Sequence, residues 1–134
     1  MVVCDSSGAL LFWKSARILS SDPTFVEAQA LLLAISCAGS SFSNSFCWFE
    51  SDAKTVIDSI LKPDETLYWP IASSVSSYCF LLGQLPTWHI SHSPRLGNVF
   101  AHNVARWCLL NNVFASSVEA SLPSFILSDV KAWP

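Results

Sequence analysis

The segment CWFESDAKTVIDSIL, residues 47–61, changes its hydrophobic pattern in the middle. Together with the two residues before it, its first part forms a continuous apolar run, which indicates a strand buried on both faces over 45–50. After the polar residues that follow, Val56, Ile57 and Ile60 recur at helical spacing. The segment therefore predicts a buried strand, a tight turn and a helix in direct succession.

The flanking sequence predicts further short elements. A helix is predicted over 23–38 from its start and stop signals. Asp22 is the expected N-cap, Pro23 the first helical position and Gly39 the stop signal after the last turn. The other predicted elements are a hairpin with strands at 2–4 and 9–18, a helix opening at Pro70, a strand in PTWHISH (86–92) and a helix from Asn98 to about Leu110. This order, β, β, α, β, α, α, β, α, favours an α/β fold in which helices cover a mixed sheet.

The predicted apolar stripes are Ile71, Val75, Tyr78 and Leu82 on the helix from Pro70, and Ala101, Val104, Ala105 and Cys108 on the last helix. The tail after Asn111 has no clear period and is expected to lie over the surface.

The composition restricts the class of protein. A chain of 134 residues is long enough for one domain with one core. The composition, with 51% hydrophobic and 13% charged residues, excludes a disordered chain. The apolar runs fall short of the ~20 residues that span a bilayer, and Glu27 and Gln29 interrupt the best candidate. No signal-peptide pattern is present. We expect an intracellular protein without membrane association, in the nucleus or the cytoplasm.

Charge and cysteine usage restrict the partners. The net charge is −3, and the seven Lys and Arg residues are spread thinly, without the basic stripe of a strong nucleic-acid binder. Any contact with phosphate is therefore expected to be local and weak. Five scattered cysteines without a CxxC pair are expected to be reduced core residues, not disulfides or zinc ligands.

Two carboxylates are candidates for a site. Glu27 lies early in the first helix, and the residues that follow it at helical spacing are small or apolar, which predicts a position on the buried face. The alternative is a boundary residue stabilised by the helix dipole. Asp52 follows the buried strand, where open α/β sheets bind ligands. The alternative is an ordinary N-cap, which Ser51 could supply equally well.

The segment SHSPRLGNVFAHNVARW, residues 91–107, contains two of the three histidines. A lone histidine is more often structural than catalytic, and Asn98 by itself is typical of a helix cap. A Ser/His/Asp hydrolase has little support because no GxSxG is present, and the histidines lack a companion cysteine at zinc-ligand spacing. The candidates in this segment are His92, Arg95, Asn98 and His102.

Taken together, FVEAQALLLAI (25–35), CWFESDAKTVIDSIL and SHSPRLGNVFAHNVARW resemble the type-1 ribonuclease H fold, specifically the plant retrotransposon-related ribonuclease H-like domains. The resemblance covers about residues 1–112 and leaves 113–134 as a C-terminal tail. It implies a mixed sheet with helices on both faces. Members carry four acidic residues that hold two Mg²⁺ ions for hydrolysis of the RNA strand in RNA–DNA hybrids.

The resemblance assigns roles residue by residue. It implies that Glu27 and Asp52 are metal ligands and that His92, with Asn98, belongs to the catalytic loop. The aspartate expected early in the last helix falls on His102, and imidazole is a poor ligand for Mg²⁺. The first aspartate of the family lies on a strand before the hairpin, which this sequence does not contain; Asp5, in the hairpin turn, is not its equivalent.

The absent strand is the central one of the fold. Without it we expect two sheet fragments with unpaired edges and marginal stability, as in an N-terminally truncated product. We expect a ribonuclease H-like domain that is inactive or nearly so. The alternatives are a non-catalytic protein-interaction or nucleic-acid-binding module, with phosphate contacts from Arg95 and Arg106 and a further contact from Asn98, or a degenerate retroelement remnant. No small-molecule cofactor is expected, and the oligomeric state stays open.

Overall fold

A computed structural model of the chain describes residues 1–66, 68–114, 116–117 and 122–130. The chain divides into two compact units: unit 1 contains Met1–Arg17 and Arg95–Pro134, and unit 2 contains Ile18–Pro94. Each unit has its own cluster of buried apolar side chains, so the expectation of a single core is wrong. The predicted α/β class is confirmed, since the described elements are small sheets and helices; one mixed sheet with helices on both faces stays a prediction.

The elements follow the predicted order and include additional short segments. They are β1 (Val2–Cys4), β2 (Leu10–Lys14), α1 (Pro23–Ser41), β3 (Cys47–Ser51), α2 (Lys54–Leu61), α3 (Pro63–Thr66), a 3₁₀ turn (Trp69–Ile71), α4 (Ala72–Leu82), β4 (Trp88–His92), a second 3₁₀ turn (Arg95–Asn98), α5 (Val99–Asn111), β5 (Ser116–Ser117) and α6 (Ser124–Val130).

Helix α1 begins as the sequence predicts. Asp22 is the N-cap, and its side chain accepts hydrogen bonds from the backbone N–H groups of Thr24 and Phe25 at 2.9 and 3.4 Å. The predicted stop at Gly39 is wrong, because this glycine does not adopt the left-handed conformation and the helix continues to Ser41. The helix ends where the Phe42 N–H bonds to the carbonyl of Ala38.

The core of unit 2 joins α1, α2, α4 and the inner face of the β3–β4 sheet. The predicted stripe of α4 is confirmed, since Val75, Tyr78 and Leu82 are all buried. Judged only by its length and composition, helix α1 could span a membrane. Its apolar character also has a packing reason, because the face that carries Leu31 and Ile35 belongs to this core.

Strands β3 and β4 pair in parallel, with Phe49 opposite Ile90 and Ser51 opposite His92. Phe49 and Ile90 are buried, whereas Trp48 is 61% exposed. The expectation that this strand is buried on both faces is therefore wrong. An apolar run does not distinguish a doubly buried strand from one that shows large apolar side chains on an exposed face.

Unit 1 contains the predicted hairpin. Strands β1 and β2 pair in antiparallel fashion with a bulge near Cys4, and Gly8 has a φ of 83°. Asp5 lies in the turn, where its Oδ1 accepts hydrogen bonds from the Ser7 N–H and hydroxyl and from the Ala9 N–H. These bonds, first among them the one from the Ser7 hydroxyl, lower the pKa of Asp5.

Among the described residues, the buried cluster of unit 1 is smaller than that of unit 2 and includes residues from the tail. Trp13, Phe100, Val104 and Cys108 are buried together. The tail was expected to lie over the surface, but Leu122 and Ile126, which lie in or next to α6, are buried in this core. Residues 115, 118–121 and 131–134 of the tail lie outside the described residues.

All five cysteines are free, as predicted, but only Cys108 is buried; Cys4 and Cys79 are exposed. The described strands form two sheets, β1–β2–β5 and β3–β4, and no ladder joins them within the described residues. The two sheet fragments expected from the resemblance stay a prediction, as does the absence of a central strand between them.

Candidate metal and nucleic-acid sites

The carboxyl ends of β3 and β4 bring two candidates to one end of the unit 2 sheet. Ser51 and His92 are register partners, the Ser93 N–H bonds to the Ser51 carbonyl at 2.9 Å, and Asp52 directly follows. Asp52 is partly buried and His92 is exposed. This end of a parallel sheet is where ligands usually bind in α/β proteins.

The N-cap alternative for Asp52 is not observed. The N-cap of α2 is Ala53, without a side-chain cap bond. The Ser51 hydroxyl accepts from the Ala53 N–H at 3.1 Å instead, as part of the turn that ends the strand. Ala53, and not Asp52, is therefore the residue at the N-cap position of α2.

Glu27 is exposed, so its predicted position on the buried face of α1 is wrong. The buried stripe is offset by one residue and consists of Ala28, Leu31, Ile35 and Ala38. One residue rotates a helix position by 100°, which moves Glu27 to the edge of the stripe. This position corresponds to the boundary alternative.

The donor set does not fit the two-Mg²⁺ centre that the resemblance implies. Among residues 1–66, 68–114, 116–117 and 122–130, no group of three or more His, Cys, Asp or Glu side chains is placed to hold a metal ion. Two Mg²⁺ ions need several carboxylate oxygens, and imidazole does not replace them well. We therefore derive no catalytic step that passes through a metal.

A group of basic side chains and a histidine lies on unit 1. Arg95 Nη2 is 3.5 Å from His102 Nε2, and Arg106 follows His102 by four residues on the same face of α5. All three side chains are exposed. Asn98 occupies the N-cap position of α5 without a side-chain cap bond.

Two expectations for residues 91–107 have different outcomes. The buried stripe of α5 was expected to include Ala105, which is exposed; Phe100, Val104 and Cys108 form it. His92 belongs to unit 2 and Asn98 to unit 1, so their joint role in a catalytic loop stays a prediction.

The two units differ in charge. Unit 1 contains five of the seven Lys and Arg residues and three of the ten Asp and Glu residues, which gives a net charge of +2. Unit 2 contains the other two basic and seven acidic residues, which gives −5. The overall charge of −3 hides this difference. Phosphate is therefore attracted to unit 1 and repelled by unit 2.

Sequence reasoning missed the exposed face of the β3–β4 sheet. The Trp48 indole N–H donates to the Ser91 hydroxyl at 2.9 Å, and the Trp48 and His89 rings meet at 82° with centroids 4.9 Å apart. Glu50 is exposed on the same strand, two residues further on. The available signal was the alternation of Trp48 and Glu50 around the buried Phe49.

Comparison with known proteins gives one positive result. The family model described as reverse transcriptase-like matches residues 1–108. Neither the curated proteins nor the solved structures contain a significant match.

Proposed function

Because the chain belongs to the reverse transcriptase-like family, which is ribonuclease H-like, we propose that it is a nucleic-acid-binding domain of hydrolase ancestry. It binds the phosphate backbone through Arg95, His102 and Arg106. Binding needs no metal ion, and hydrolysis is weak or absent.

The observation that carries this proposal is the grouping of these three side chains. Arg95 touches His102, and Arg106 lies one helical turn further along the same exposed face. A guanidinium group offers several donors in a plane that matches phosphate oxygens, and two such groups along a helix can follow a backbone. The net charge of +2 on unit 1 supports the same location.

The donor chemistry favours binding over hydrolysis. Glu27 is exposed and Asp52 is partly buried. His102, which the resemblance aligns with a metal-binding aspartate, contacts Arg95. A neighbouring guanidinium disfavours a divalent cation at the same place by charge repulsion, whereas it attracts an anion.

The finer parts of the proposal go beyond the family match. We expect an RNA–DNA hybrid as the nucleic acid, kinship with plant retrotransposon proteins, and an intracellular location. The family typically uses Mg²⁺, and any residual Mg²⁺ binding would involve Asp52 and Glu27.

The binding test uses fluorescence anisotropy of a labelled RNA–DNA hybrid in EDTA. We expect Arg95→Ala and Arg106→Ala each to weaken binding about three- to tenfold, the loss of one phosphate contact. Lys54→Ala and Lys62→Ala, which remove the same charge from unit 2, are the matched controls and should change affinity less than twofold. Equal losses in all four variants would show only a general charge effect.

A second candidate function is residual hydrolysis, which the position of Asp52 beside the end of β4 favours. It is tested with the same hybrid in Mg²⁺, followed by gel analysis of the RNA strand. We expect no cleavage above background. Cleavage that is abolished by Asp52→Asn but retained in Asp58→Asn would establish an active nuclease and refute the binding-only proposal.

A further inference from the structure

The exposed face of the β3–β4 sheet carries an aromatic side chain that is held in place. Trp48 is 61% exposed, yet its indole N–H is bonded to Ser91 and its ring packs against His89. An exposed tryptophan without such contacts would sample several rotamers. Because Trp48 is already ordered, a ligand that stacks on its ring loses little side-chain entropy.

A carboxylate, Glu50, lies on the same strand face as this ring. Glu50 is two residues along the strand from Trp48, which places it on the same face at a Cα spacing of about 6.6 Å, and its side chain is exposed. The unit that contains both has a net charge of −5. An electron-rich ring beside a carboxylate suits a cation and repels a phosphate.

From this geometry we infer that Trp48 and Glu50 form a binding site for the guanidinium or ammonium group of a basic peptide segment. The cation lies over the indole face, and the carboxylate of Glu50 neutralises it. The partner is a protein with exposed Arg or Lys, not a nucleic acid. This inference is independent of the nucleic-acid binding proposed for unit 1.

The test is an NMR titration with an octapeptide that alternates Arg and Gly, at pH 8, where imidazole is ordinarily uncharged. The Trp48 indole N–H resonance, assigned from its loss in Trp48→Leu, should shift on addition of the peptide. The same peptide with citrulline in place of Arg keeps the shape and removes the charge, and it should cause no shift.

Variants of the site give the expected fold-changes. Affinity should fall about three- to thirtyfold in Trp48→Leu, the range of one cation–π contact, and about two- to fivefold in Glu50→Gln. Ser91→Ala, which keeps the ring but releases its N–H, should weaken binding less than Trp48→Leu does. Trp69→Leu and Glu65→Gln are the matched controls, since Trp69 is 79% exposed and Glu65 is exposed elsewhere in unit 2.

Three results would overturn the inference. The first is a loss of peptide affinity in the control variants equal to that in the site variants. The second is binding of the citrulline peptide as tight as that of the Arg peptide. The third is a shift of the Trp48 resonance with a single-stranded oligonucleotide but not with the Arg peptide. If Trp48→Leu alters the amide spectrum beyond β3 and β4, Trp48→Phe provides the test, with an intermediate loss expected because benzene is a weaker cation acceptor than indole.

Discussion

Unit 1 and unit 2 differ in the size of the cores that their described residues form and in the sign of their charge. The core of unit 2 is built on α1, α2, α4 and a parallel strand pair, whereas that of unit 1 rests on one hairpin, α5 and residues in and next to α6. The smaller unit carries the positive charge. The surface proposed to bind nucleic acid therefore belongs to the unit with the less extensive core. The unit with the larger core carries a net negative charge.

The largest effect is expected from Trp13→Ala. Trp13 is 1% exposed and meets Trp107 edge to face, with centroids 6.2 Å apart. Its truncation should lower the free energy of unfolding by about 3–5 kcal/mol, measured by urea denaturation. Hydrogen exchange should rise first in unit 1. Trp69→Ala, at a 79% exposed position, is the control and should change stability by less than about 0.5 kcal/mol. A uniform rise over both units would contradict separate cores.

Tyr78→Phe probes the larger core. The buried Tyr78 hydroxyl donates to the carbonyl of Ala28 and so ties α4 to α1. Phenylalanine leaves that carbonyl without its partner, which should cost about 1–3 kcal/mol in the same denaturation measurement. Ser77→Ala, which removes a hydroxyl bonded within α4 to the Ser73 carbonyl, serves as the control. If Tyr78→Phe leaves the free energy of unfolding unchanged, the hydrogen bond makes no net contribution to stability.

Alkaline pH gives an independent measure of the same burial. Burial raises the pKa of Tyr78 above its ordinary value near 10. The stabilisation is therefore complete below pH 10 and is lost as the pH rises above it, because the unfolded chain then ionises first. The loss from this group is at most about 1.4 kcal/mol per pH unit. Tyr78→Phe should show a shallower decline between pH 10 and 11 than the wild type, and parallel curves would refute the assignment.

Asp22→Ala is expected to have the smallest effect on stability. It removes the N-cap of α1. It also removes the carboxylate oxygen that accepts a hydrogen bond of 3.2 Å from the Tyr68 hydroxyl. The loss should be about 1 kcal/mol, seen as a lower Tm. Asp22→Asn retains the capping oxygen and should recover most of the loss. If it recovers none, the charge matters more than the cap.

Local signals predicted much of the fold. The Asp22–Pro23 start of α1, the hairpin turn and the α4 stripe depend on residues within a few positions of each other, and all three were correct. The division into two cores was not predictable, because it depends on which distant elements pack together. The tail shows the same limit: Leu122 and Ile126 have no clear period in the sequence but are buried by tertiary contact.

The candidate sites were predicted less completely. Asp52 was correctly placed at a strand end, because strand, turn and helix are contiguous there. Glu27 was misplaced by one helical position, since several apolar residues in α1 allow more than one stripe. Trp48 was missed because an aromatic side chain in an apolar run looks buried until its neighbours are known. The charge difference between the units also required the fold, since unit 1 joins both ends of the chain.

The central claim, that unit 1 holds nucleic acid by phosphate contacts, is tested most directly by the salt dependence of hybrid binding. The slope of log Kd against log salt concentration should decrease by about 2 in Arg95→Ala/Arg106→Ala, because each lost phosphate contact removes close to one released counterion. Lys54→Ala/Lys62→Ala should leave the slope unchanged. An unchanged slope in the arginine variant, or an equal decrease in the lysine variant, would contradict the account.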